Sequence, residues 1–146
     1  MQKQFYVGFH CVFFDDGLYN AVVEADQRDG FLSAQEGSIS IYTGVAMGWV
    51  SVEVRHPDAA PLESEPLLGG QWSEVASVVV PYGNSENFVL HATSSDVCDD
   101  VLIPKPASSV IGVRVRAWGR DLFFDRAFDE ESGPVERYLV EIWAAD

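Results

Sequence analysis

Two alternating stretches near the C-terminal end, Val110–Trp118 and Glu136–Ala144, constrain this chain more than anything else in it. In the first, Ile111, Val113, Val115 and Ala117 share one phase, and Arg114, Arg116 and Trp118 share the other. In the second, Tyr138, Val140, Ile142 and Ala144 alternate with Arg137, Leu139, Glu141 and Trp143. A period of two sends successive side chains to opposite faces, so both stretches predict strands with one buried and one wet face. The segment between them is polar and dense in carboxylates. Two such strands need further sheet to cover their apolar faces.

The upstream sequence supplies it. Phe5, Val7, Phe9, Cys11 and Phe13 form one phase of an opening strand; Tyr6, Gly8, His10, Val12 and Phe14 form the other. Being apolar on nearly both faces, it is expected inside a sheet or a sandwich rather than at a rim. Asp15-Asp16-Gly17 is a turn signal. Leu18–Glu24 reads as a strand, Asp26–Gly30 as a loop and Phe31–Ala34 as a short strand. Ser38–Thr43 and Trp49–Arg55 predict a hairpin closed by the Gly44–Gly48 turn. From His56 to Gln71, Pro57, Pro61, Pro66 and Gly69-Gly70 exclude a regular element, which leaves a sheet-to-sheet crossing or a functional loop. Glu74–Val80, Asn87–Thr93 and Val101–Ile103 complete the strands. No segment holds a 3.6-residue period for three turns, although Arg126–Glu131 allows a single helical turn. About eight or nine short strands separated by turn signals predict an all-β, antiparallel β-sandwich. A small β-barrel is the alternative, since strand counting does not distinguish closure from two packed sheets. At 146 residues the chain is expected to be one domain, 1–146.

Charge allows two readings, a device for solubility or an attraction for a basic partner. There are 23 acidic against 9 basic side chains, a net charge of −14. Such a field repels nucleic acid and anionic membrane and attracts basic proteins. No apolar run approaches the roughly 18 residues of a membrane span, and the opening residues alternate like a strand instead of forming a cleavable leader. The cytoplasm is the expected location. Cys11 falls in a strand phase and is expected as a small buried hydrophobe, whereas Cys98 lies in an acidic loop. Without C-x-x-C spacing the two make neither a zinc nor a redox motif.

Catalytic patterns are missing. His10, His56 and His91 show no metal-ligand spacing, no serine sits in G-x-S-x-G, and Gly69-Gly70 lacks the lysine of a phosphate loop. Carboxylate pairs arise here from abundance alone. The residues alone do not name the function; the expectation is a non-enzymatic binding protein without cofactor or metal, with an enzyme that uses a carboxylate site of no recognised motif as the last alternative. Two surfaces are candidates. The first is acidic: Asp121, Asp125, Asp129, Glu130 and Glu131 between the last two strands, with Asp96, Asp99 and Asp100 in another loop. The second places Trp49, Trp118 and Trp143 with Arg114 and Arg116 in the charge-bearing phase of their strands. Exposed Trp and Arg are hot-spot residues, but charged stems or a loop covering the rings is the simpler outcome. Calcium or a small ligand is the alternative function: Asp15, Asp16, Asp26 and Asp29 could converge with Asp96, Asp99 and Asp100 at one end of a sandwich. Asp26-Gln27-Arg28-Asp29-Gly30, however, lacks the D-x-D-x-D-G spacing of a calcium loop.

Two resemblances add to this. From Val113 to Trp143, the pattern R-V-R-A-W-G-R-D, an acidic gap and P-V-E-R-Y-L-V-E-I-W is similar to a group of small actinobacterial proteins, a likeness that implies no activity. The wider layout resembles the competence protein J family, inhibitors of a DNA-entry nuclease. It is carried by Phe9-His10 in an early strand, by Asp29-Gly30 followed by short strands to Ile41, by Val78–Tyr82, and by a late strand, Val110–Trp118, that ends in a Trp. This resemblance implies a β-sandwich that neutralises a basic partner such as a nuclease or toxin, an immunity-type role. It differs in the Pro57–Pro66 loop and the acidic gap Asp121–Pro134.

Overall fold

The computed structural model describes residues 1–15, 31–35, 37–62, 72–81, 86–92 and 100–146. Among them the chain forms ten strands: β1 (Gln2–Gly8), β2 (Cys11–Asp15), β3 (Leu32–Gln35), β4 (Ser38–Tyr42), β5 (Met47–Arg55), β6 (Glu74–Pro81), β7 (Asn87–Ala92), β8 (Val101–Pro104), β9 (Val110–Trp118) and β10 (Glu136–Ala144). Two five-stranded sheets result, β1-β5-β10-β9-β6 and β3-β4-β2-β7-β8. This is a β-sandwich; neither sheet closes on itself, which removes the barrel alternative. No helix occurs among the described residues. Pairing is antiparallel throughout, except that β10 lies parallel to β5. The expected strand Leu18–Glu24 and loop Asp26–Gly30 lie outside the described residues.

The last two strands form with the bounds their alternation predicts. Val115 stands opposite Val140 and Val113 opposite Ile142, so the two apolar phases share one face. Val50, Val52 and Val54 of β5 extend that face. In the second sheet Val12, Phe14, Ile39, Ile41, Phe88 and Leu90 share a face and join the same buried core. Burial of apolar surface on this scale is the main force holding the sheets together.

Four expectations are corrected. The opening strand is not continuous: it breaks at Phe9 and His10, whose φ angles are 54° and 62°, and β2 continues in the other sheet. A run that is apolar on both faces serves two sheets here, as β1 at the rim of the first, where no rim was expected, and as β2 inside the second. The Ser38–Thr43 and Trp49–Arg55 hairpin does not form, because β4 and β5 belong to different sheets. Gly44 marks a close approach instead: a Cβ there would fall 1.8 Å from the Arg120 carbonyl oxygen. The proline-rich connection is not a sheet-to-sheet crossing, since β5 and β6 share a sheet. Its described part touches the outer face of that sheet, where the Leu62 carbonyl accepts from Arg114 Nη1 at 3.1 Å. That outer face is wet only in part: Arg114, Leu139, Glu141 and Trp143 are buried, while Arg137, Val75 and Val79 remain exposed. Arg114 makes this tolerable by donating through Nε and Nη2 to one Glu141 oxygen at 2.9 and 2.6 Å.

Candidate functional site

The strand registers gather one end of the sandwich. β1, β4, β7 and β9 finish there, and β2, β3, β5, β6, β8 and β10 start there. The acidic β9–β10 connection crosses this end and is tied down along its length. Asp125 N donates to Gly44 O at 2.8 Å, Ala46 N to Arg126 O at 2.9 Å, Phe128 N to Met47 O at 2.8 Å and Val135 N to Trp49 O at 3.0 Å. Side chains add two more ties: Tyr6 Oη donates to Phe128 O at 2.6 Å, and Trp49 Nε1 to Glu130 O at 2.8 Å. These bonds tie the backbone of the connection to this end, so the carboxylates it bears are gathered there.

Beneath it lies a buried polar knot. Glu136, 1% exposed, accepts from Gly44 N and Val45 N at 2.7 Å each and from Tyr138 Oη at 2.6 Å. Burial pushes its carboxyl above the ordinary range; the Tyr138 hydroxyl, the two backbone N–H groups and the Arg120 charge oppose that rise. Arg120 is buried as well. It donates from Nε to Tyr42 O at 3.0 Å, pairs with Glu74 and stacks over Phe31 with its guanidinium 4.8 Å from the ring centroid. The knot joins the crossing between the sheets to the first residues of both the connection and β10.

One contact on this end concentrates backbone strain. Among the described residues, three non-glycine residues have positive φ: Phe9, His10 and Asp125. His10 and Asp125 meet directly, Nε2 to Oδ1 at 2.9 Å, while His10 Nδ1 lies 2.9 Å from Thr43 O. Left-handed φ is costly for residues other than glycine, and it persists only where surroundings enforce it. Phe9, beside this clamp, is 80% exposed.

The acidic candidates differ in their surroundings. Asp121, Glu130 and Glu131 are exposed on the platform. Asp125 is exposed but engaged by His10. Asp129 spends one oxygen on its own turn, accepting from Glu131 N, Ser132 N and Ser132 Oγ at 3.0–3.1 Å, and this local cap takes the place of the helical turn allowed at Arg126–Glu131. Asp100 precedes β8 on the same end, half-buried on the other sheet. Asp96 and Asp99 lie outside the described residues, as do Cys98, Asp16, Asp26 and Asp29. Among the described residues no three His, Cys, Asp or Glu side chains group to hold a metal ion. Asp15 is buried and paired with His91, Oδ2 to Nε2 at 2.6 Å.

The tryptophan-bearing candidates lie on the outer face of the first sheet, and Trp49 reaches from there to the platform through the Glu130 carbonyl. Trp143 is buried against Gly112, where a Cβ would meet the indole at 2.1 Å. Arg137 stacks over Trp118 at 4.9 Å, and Trp49 packs edge-on to Tyr6 at 5.4 Å. Arg116, half-buried, approaches Glu141 at 3.7 Å. The sequence offered no sign of Phe9, His10, Arg120 or Glu136 as parts of one end, because their partners lie far away along the chain.

No protein-family profile and no curated protein sequence matches the chain. A solved structure does. The fold is similar to that of ComJ. ComJ, from Bacillus subtilis, is an inhibitor of the DNA-degrading activity of NucA. The superposition has a TM-score of 0.65 and covers 99% of this chain and 96% of ComJ, at 10% sequence identity. At that identity the likeness to ComJ is one of fold, and no residue is carried across by it.

Proposed function

We propose that this chain is a non-enzymatic inhibitor, immunity-type in its logic, that masks a basic protein such as a nuclease or toxin. The observation that carries the reading is the tethered acidic platform: the connection that bears Asp121, Asp125, Glu130 and Glu131 is tied by its backbone to one end of the sandwich, and His10 engages the Asp125 carboxylate. A merely solvated turn needs no such tethering, whereas a tethered backbone loses less entropy on binding. An enzyme that handles DNA must present cations to phosphates, and carboxylates can occupy those positions instead. The net charge of −14 steers such a partner inward and rejects the nucleic acid it would otherwise bind. Likeness in fold to a nuclease inhibitor supports the same role.

The test is protection of DNA. Purified chain is titrated against a panel of purified DNA-degrading enzymes that includes NucA, and duplex cleavage is followed by gel. Stoichiometric protection that weakens as salt rises is the expected result. Undiminished cleavage at excess chain and low salt across the panel contradicts the proposal.

A further inference from the structure

We infer that Phe9 is the anchor of the docking end, a ring that takes the place of a nucleobase in the partner's cleft while the neighbouring carboxylates take the places of phosphates. The inference rests on the inhibitor reading above and specifies its contact. Three facts about Phe9 carry it. It is 80% exposed, so its ring gains almost nothing from the fold. Its φ is 54°, a conformation that Gly or Asn would adopt more readily. The corner that bears it is over-determined: Thr43 N donates to His10 O at 2.8 Å, and the His10 ring is held between Thr43 O and Asp125. Stability therefore argues against a phenylalanine here, and the surrounding bonds hold it outward regardless.

The surroundings state what it fits. Gly8 pairs with Met47, which is 39% exposed and bridges to Ala127 of the platform. Leu122, 59% exposed, stands on the same connection. An exposed aromatic, two further exposed apolar side chains and the Asp125 carboxylate on the neighbouring His10 form the arrangement of an interface hot spot. The complementary partner is a basic cleft with an apolar or stacking floor between cationic walls. That describes the site of an enzyme that grips single nucleotides, where bases stack and phosphates are neutralised.

The test replaces Phe9→Asn and Phe9→Tyr and measures thermal unfolding and protection of DNA from an enzyme that the wild type inhibits. Phe9→Asn is expected to unfold at or above the wild-type temperature, yet to need more than about tenfold more protein for half protection. Phe9→Tyr, which keeps the ring, should protect nearly as well as wild type. Undiminished protection by Phe9→Asn overturns the anchor and leaves the inhibitor reading standing. A clear drop in its unfolding temperature also overturns the anchor, by showing that the ring serves the fold. If the wild type protects against none of the panel, the inhibitor reading fails and the anchor with it.

Discussion

The platform end and the outer face of the first sheet are both rich in charge, and they use it in opposite ways. On the outer face Arg114 and Glu141 are buried against each other, and Arg137 lies flat on Trp118. There, charged groups cover apolar surface and satisfy one another. At the platform end Asp121, Glu130 and Glu131 face water with like-charged neighbours, and the bonds that hold the segment come mostly from its backbone. Like charges held together cost the free domain stability through self-repulsion, which a cationic partner would relieve. What separates the packed face from the docking face proposed here is therefore where the charges are neutralised, not how many there are.

The largest expected effect strikes the foundation of the platform. Glu136→Ala orphans the N–H groups of Gly44 and Val45 and the Tyr138 hydroxyl, and should cost about 3–5 kcal/mol in urea unfolding. A cost under about 1 kcal/mol would mean that water or neighbours replace the carboxylate readily. Next comes the packed face: Gly112→Ala drives a methyl into the Trp143 indole and should cost about 1–3 kcal/mol. On the same face, replacing Arg114 and Glu141 together by Leu and Met should cost less than losing Glu141 alone to Ala, since only the single change leaves a buried guanidinium with its ion pair broken. A double-mutant cycle measures the difference, and a double variant worse than the single one would disprove this account of the face.

A smaller, pH-dependent effect concerns Cys11. Burial pushes its thiol from 9.0 up to about 12, against a weaker opposing hydrogen bond from Ser40. Below the ordinary value both folded and unfolded chains keep the proton, so its contribution is fully present there. As pH rises from 9.0 towards 12 the unfolded chain ionises first, and that stability is lost. In a Cys98→Ser background, Cys11→Ala should therefore flatten the fall in stability between about pH 8 and about pH 11. Cys11 itself should react with thiol reagents only as fast as the domain opens. Equal slopes in both proteins, or rapid labelling of the folded domain, would show the thiol to be accessible.

How much of this was legible in the sequence depended on the range of the interaction concerned. β9 and β10 were readable to the residue, because a two-residue period held over nine residues fits a strand and little else. The break at Phe9-His10 was invisible: the corner is two residues long, both fit the alternation, and neither is a glycine. Gly44 gave a turn signal for a different reason, the approach of the Arg120 carbonyl. The outer face misled because a polar phase usually means water, and Arg114 finds Glu141 only once β9 and β10 pair. At the platform, composition exposed the carboxylate cluster, but not that Asp129 caps its own turn or that Asp125 holds His10 from 115 positions away. Those roles exist only after folding.

The position of the charges, rather than their total, is the central claim, and two variants of equal net charge test it. One carries Asp121→Asn, Glu130→Gln and Glu131→Gln on the platform. The other carries Asp58→Asn, Glu86→Gln and Asp146→Asn, exposed residues outside it beyond the ends of β5 and β10 and ahead of β7. Stopped-flow association with an enzyme that the wild type inhibits is followed over a range of ionic strength. The platform variant is predicted to associate about tenfold more slowly at low salt with a flatter salt dependence, and the control to stay within about twofold of wild type. Equal slowing in both would show that the chain acts through its overall charge alone, and would contradict the platform as the docking surface.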